Sequence, residues 1–90
     1  MVTLVLPAQL ASLAGGRRTL ELEAHTVGEL LSAIDAVAPM LRAQLLEPGG
    51  AFRQFVGFFV DDLQLFEPGD GSLPLCVGSQ VVVVMAVAGG

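Results

Sequence analysis

Polar and apolar residues alternate over Thr19-Leu20-Glu21-Leu22-Glu23, which sets Leu20 and Leu22 on one face of an extended segment and Glu21 and Glu23 on the other. This is the pattern of a strand in a half-solvated sheet. The β-branched and leucine run from Val2 to Leu6 reads as a second strand, stopped by Pro7, which has no N–H to give a ladder. Residues 8–14 are too short to read as a helix, Gly15-Gly16 supplies the turn back, and Arg17-Arg18 reads as an exposed strand entry. The period then changes. Val27, Leu30, Leu31, Ile34 and Val37 recur at helical spacing and form one apolar stripe, with Ser32 and Asp35 outside it and Pro39 as the stop. Thr26-Val27-Gly28-Glu29 fits a capping box: the Thr26 hydroxyl takes the Glu29 amide and the Glu29 side chain reaches back to the Thr26 amide. Residues 40–46 have room for one or two further turns before the break at Glu47-Pro48-Gly49-Gly50.

Alternation returns in Phe55-Val56-Gly57-Phe58-Phe59-Val60, where Val56, Phe58 and Val60 share one face and Phe55 and Phe59 the other. Asp61-Asp62 tolerates tight-turn geometry and leads into Leu63 to Phe66, so a hairpin is expected. After a loop at Glu67-Pro68-Gly69-Asp70-Gly71 and a turn at Gly78-Ser79, the unbroken run Val81 to Met85 reads as an interior strand. The order β-β-α, then β-β, with a last central strand, is that of an α+β chain with the β-grasp arrangement: a mixed sheet wrapped over one main helix. Residues 1–86 form its single domain, and Val87-Ala88-Gly89-Gly90 follow the last strand as a flexible, protruding arm. On a sheet covered by a helix on one side, Phe55 and Phe59 are either a docking surface or partly buried under a loop.

Composition narrows the function. In a chain of 90 residues, 53% hydrophobic content and a mean hydropathy of +0.73 are high, which suggests an apolar patch left outside for a partner. The longest apolar run, Val81 to Ala88, falls far short of the roughly 20 residues that a spanning helix needs. Without a signal-peptide order at the start, a soluble, cytoplasmic protein is expected. Nine acidic residues face four arginines, a net charge of -5, which disfavours nucleic acid and anionic membrane and suits a basic partner surface. There is no lysine, so isopeptide chains of this protein linked through its own side chains are excluded. Cys76, the only cysteine, stands between Leu75 and Val77 and is expected to be a small buried hydrophobe. With the single histidine, His25, it makes no credible metal site.

The last two residues are either an idle end or a functional arm. Gly89-Gly90 has no Cβ on either residue and can thread a cleft closed to other side chains, as a carrier needs when its own carboxylate reacts. On background glycine frequency the ending arises by chance in roughly 0.5% of chains.

In this order the chain resembles the MoaD/ThiS family of ubiquitin-like sulfur carriers. The resemblance is carried by Leu10-Ala11-Ser12-Leu13-Ala14-Gly15-Gly16 after an opening strand, Thr26-Val27-Gly28-Glu29-Leu30-Leu31, Phe58-Phe59-Val60-Asp61-Asp62, Val77-Gly78-Ser79 and the closing Gly-Gly. Ala86-Val87-Ala88-Gly89-Gly90, with Glu47-Pro48-Gly49 before Gln54-Phe55-Val56, looks most like the CysO-type branch, which carries sulfur for cysteine synthesis. The chain departs from the family at Asp61-Asp62, where many members have Asn-Gly, and at Cys76, a position often polar. The resemblance implies a carrier and not an enzyme, with no bound cofactor. An E1-like adenylyltransferase/sulfurtransferase would use ATP to activate the Gly90 carboxylate and convert it to a thiocarboxylate, while Gly89, Ala88 and Val87 thread the partner's active site. A sulfur-accepting enzyme, of the sulfhydrylase type or the large subunit of molybdopterin synthase, would take the sulfur. The third reading is a protein modifier conjugated through Gly90.

Overall fold

The computed structural model describes residues 1–86. Five strands, β1 (Val2–Val5), β2 (Thr19–Leu22), β3 (Val56–Val60), β4 (Leu63–Leu65) and β5 (Gln80–Met85), form one sheet in the order β2-β1-β5-β3-β4. Three helices, α1 (Ala8–Ala11), α2 (Val27–Val37) and α3 (Pro39–Leu45), complete the described elements with a 3-10 turn at Ser12–Ala14. The β1–β5 pair is parallel and the other pairs are antiparallel, so the sheet is mixed. This is the β-grasp arrangement, with the last strand in the middle.

Alternation decides which side of each strand is buried. Val2 and Leu4 of β1, Leu20 and Leu22 of β2, Phe58 of β3, and Val81 and Val83 of β5 all face the helices and are buried. Val27, Leu30, Leu31 and Ile34 of α2 meet them in one core. The stripe ends sooner than its spacing suggests, for Val37 is 60% exposed. Ten residues after Val27, at about 100° per residue, it has rotated roughly 80° from the stripe's origin. Buried Ala38 takes over as the chain turns, at φ -152° and ψ 73°, outside the helical region that a residue before proline disfavours. Pro39 then opens α3, where a missing N–H costs nothing. This helix adds Leu41 and Leu45, both fully buried, so the sheet wraps over α2 with a second short helix sharing the core. Residues 8–14, too short to read as a helix, are helical as a single α-turn continued by a 3-10 turn, anchored by buried Leu10 and Ala11.

The start of α2 is sealed by the chain itself. Thr26 Oγ1 accepts from the Glu29 amide at 3.1 Å, as a capping box requires. The reciprocal bond differs from the expected one: Glu29 Oε1 accepts from the amide of His25, one residue before the cap, at 2.9 Å. The amides of Val27 and Gly28 donate to the carbonyls of Leu73 and Gly71. That approach needs two glycines, because a Cβ on Gly71 would sit 2.9 Å from the Gly28 Cα. Asp70 shapes the same loop by accepting from the Ser72 hydroxyl and amide, which hold its carboxyl below the ordinary value.

Candidate functional site

The site is the exit end of β5. This strand pairs with β1 through Thr3↔Gln80 to Val5↔Val82 and with β3 through Val60↔Val81 to Val56↔Met85, so it is gripped from both sides. The β3 ladder continues one residue further, where the Ala86 amide donates to the Phe55 carbonyl at 2.9 Å. Val87, Ala88, Gly89 and Gly90, the residues expected to thread a partner and carry sulfur, lie outside the described residues.

Around that exit the solvent face of the sheet is apolar. Val5, Val82 and Phe59 are half-buried neighbours in one cross-strand row. Val84 at 43% and Phe55 at 46% exposure continue the patch toward Ala86. Phe55 and Phe59, expected on the face opposite Phe58, are there; together with Gly57, Gln64, Val84 and Ala86 they border a concavity of about 310 Å³. Phe55 is exposed and Phe59 half-buried. None of the residues lining the concavity carries a charge.

The start of β5 is built differently. Asp61 and Asp62 form the β3–β4 turn with φ of 47° and 73°, both left-handed, as a two-residue type I′ turn demands. The Asp61 carboxylate accepts from the Ser79 hydroxyl at 2.8 Å and from the Gln80 amide at 2.9 Å, and its own amide donates to the Gln80 carbonyl. Ser79 Oγ in turn accepts from the Cys76 amide at 2.9 Å. The bond from the Gln80 amide, then that from Ser79, holds the Asp61 carboxyl below its ordinary value. Sequence reading missed this group. Its signals, a turn aspartate and a serine before the last strand, stand 18 residues apart.

Cys76 corrects an expectation: it is exposed, not buried. An apolar neighbourhood in sequence does not bury a residue in the tight turn that ends at Ser79, whose amide returns to the Cys76 carbonyl. The turn stands at the end of β5 opposite the exit. His25 approaches the same region through its carbonyl, which accepts from the Leu75 amide, while its ring faces Glu29 at 3.3 Å. Among the described residues, no three His, Cys, Asp or Glu side chains gather as a metal site would require, and no helix is long and apolar enough to cross a membrane.

Fold and exit geometry together define the class: a ubiquitin-like β-grasp protein whose central strand delivers the C-terminal segment. No family model matches the sequence. The sulfur carrier protein CysO of Mycobacterium tuberculosis is 28% identical over 91 residues, covering 99% of this chain and 98% of the relative, and the Mycobacterium bovis protein of the same name matches equally. The crystal structure of M. tuberculosis CysO superposes with a TM-score of 0.85 at 25% identity, covering 97% of this chain and all of that one. The Amycolatopsis orientalis BexX/CysO complex holds a chain of the same fold (TM-score 0.86, 24% identity, full coverage of both), as does SAMP1 of Haloferax volcanii (0.79, 22%, covering 99% and 98%). The resemblance to ubiquitin-like sulfur carriers of the MoaD/ThiS kind, and to CysO among them, therefore runs the length of the chain in sequence and in fold.

Proposed function

We propose that this protein carries sulfur as a thiocarboxylate on Gly90. The observation that carries the proposal is the pairing of a CysO-like chain over its full length with a central strand, held from both sides, that leads into Gly89-Gly90. A carboxylate is a poor electrophile. An E1-like adenylyltransferase/sulfurtransferase would join it to the AMP moiety of ATP and release pyrophosphate. A sulfide-level donor would then displace AMP, leaving –COS⁻ and one proton. The thioacid is more acidic than a thiol and so is an anionic nucleophile at neutral pH. Phe55 and Phe59 would help dock the enzymes, and Val87 to Gly90 would enter their active sites. The acceptor fitting the CysO likeness is a sulfhydrylase-type enzyme of cysteine or related synthesis.

Intact mass spectrometry after incubation with ATP, an E1-like enzyme and a sulfide source tests this directly. Replacement of one oxygen by sulfur on the wild-type chain, absent when Gly90 is deleted from a protein that still folds, is the expected result. Sulfur acquisition by the truncated chain refutes the scheme. Ladders of high-mass adducts would instead make the protein a modifier, and a stable heteromer with a large catalytic subunit would make it a molybdopterin synthase subunit.

A further inference from the structure

The two edges of the sheet are built differently. On one side, β2 carries exposed Glu21 and is entered through exposed Arg17 and Arg18, and charge along an edge guards against pairing with another chain. On the other, β4 reads Leu63-Gln64-Leu65 without a charge and runs into Phe66; Leu63 is 77% and Phe66 79% exposed. The two-residue turn at Asp61-Asp62 makes Val60 and Leu63 the hydrogen-bonded pair beside it. The next pair, Phe59 and Gln64, is of the other kind, so the Gln64 N–H and C=O point to the open edge. Leu63 and Leu65 share a face with their partners Val60 and Phe58, the one toward the helices. The core fills that face at Phe58 and stops short of Leu63. What remains is a groove of about 350 Å³ bordered by Leu63, Leu65, Leu73 and Pro74, with Asp61 beside them. Its loop wall is fixed, because the Leu73 carbonyl accepts from the Val27 amide and Pro74 bridges to Thr26. The groove lies on the face opposite Phe59, at the end of β3 away from the Val56↔Met85 pair and the exit of β5.

We propose that this edge takes up an extended, basic segment of a partner protein, which adds a strand beside β4 and seats one apolar side chain between Leu63 and Leu73. Charge selects that occupant. All four arginines lie in residues 1–53, whereas residues 54–90 hold Asp61, Asp62, Glu67 and Asp70 and no lysine, arginine or histidine. Those carboxylates stand on the turn before β4 and the loop after it, so lysine or arginine on either side of the seated residue meets opposite charge. A second copy meets like charge instead. Antiparallel pairing of β4 with β4 about Gln64 sets Asp61 of one chain against Glu67 of the other. The segment leaves the exit of β5 uncovered, so the inference stands whether or not Gly90 carries sulfur.

An NMR titration of the isotope-labelled chain with a short capped peptide of alternating valine and lysine tests this, with the valine–glutamate peptide as control. The lysine peptide should shift the signals of Leu63, Gln64, Leu65 and Leu73. It should also slow hydrogen exchange of the Gln64 amide, which a strand paired at this edge does and a merely seated side chain does not. Leu63→Ser should weaken binding about tenfold at an unchanged melting temperature, since that side chain is largely exposed. Asp62→Asn keeps a residue that tolerates positive φ; it should weaken binding about threefold and flatten the dependence on salt. Val37→Ser, on the exposed surface of α2, should bind as wild type does. A lysine peptide that shifts nothing, unchanged exchange at Gln64, or equal binding of the glutamate peptide overturns the proposal. It also falls if the free chain dimerises and Leu63→Ser abolishes the dimer, which makes the occupant a second copy. Movement of the Leu63 and Leu73 signals on deletion of residues 87–90 overturns it too, since the occupant is then the chain's own end.

Discussion

Phe58 and Phe59 are neighbours in sequence and opposites in the molecule. Phe58 points inward, is fully buried and stacks on Phe52 with ring centroids 4.8 Å apart. Phe59 points outward, is half-buried and borders the concavity beside the exit of β5. The same contrast runs across the sheet: Val81 and Val83 close the core while Val82 and Val84 face solvent. An apolar solvent face costs solubility and adds little to folding, and an exposed patch of this kind beside the exit of β5 fits the docking role proposed for it. The strand's two faces thus differ in kind: one closes the core and the other leaves an apolar surface beside the exit of β5.

Single truncations of the two rings should break that division most visibly. Phe58→Ala removes a buried ring and leaves a cavity, an expected loss of about 3–5 kcal/mol that would unfold much of a domain this small. Phe59→Ala should cost less than about 1 kcal/mol while weakening partner engagement. Urea denaturation measures both. Comparable losses would mean that Phe59 is structural and the outer face is not a separate surface.

The inner face also depends on how α2 is started. Thr26→Ala removes the hydroxyl that accepts from the Glu29 amide and should cost about 1 kcal/mol. The outer face should be unaffected, so the signals of Phe55 and Phe59 in NMR spectra should stay in place while the midpoint falls. Movement of both sets would show that the two faces are coupled.

How much of this is legible in the sequence follows from range. The strand faces, the cap at Thr26, the Asp61-Asp62 turn and the interior position of β5 rest on residues within a few positions of one another, and local pattern reveals them. Val37 stands outside the core because a stripe read by spacing does not show where the helix leaves it. The helical turns over residues 8–14 have no period to read. The exposure of Cys76 is decided by the turn it opens and not by its neighbours in sequence. Of the site, the sequence shows Phe55 and Phe59 on one face, but not that Val84 and the bare position 57 join them; that depends on the β3–β5 register. Gly89 and Gly90 remain a reading of sequence and resemblance.

The smallest effect concerns the polar start of β5, where Asp61 ties the β3–β4 turn to Ser79 and Gln80. The core facing the helices contains no titratable side chain among its buried residues, so pH acts on the sheet through exposed carboxylates such as that of Asp61. Hydrogen bonds from the Gln80 amide and Ser79 lower the Asp61 pKa in the folded state. The unfolded chain, with an ordinary value of about 3.9, therefore binds its proton first as pH falls. The contribution of Asp61 is fully present above that value and is lost as pH drops through the lower folded value. Asp61→Asn keeps a residue that tolerates positive φ but cannot ionise, and its amide nitrogen cannot accept from Ser79. The variant should be less stable than wild type at neutral pH, and the gap should close below about pH 4. Asp70 titrates in the same range in both proteins, so the difference between their urea midpoints isolates Asp61. A difference that stays constant from pH 7 to pH 2.5 would show that the carboxylate's charge does not hold the turn, and that β5 is positioned by its strand pairing alone.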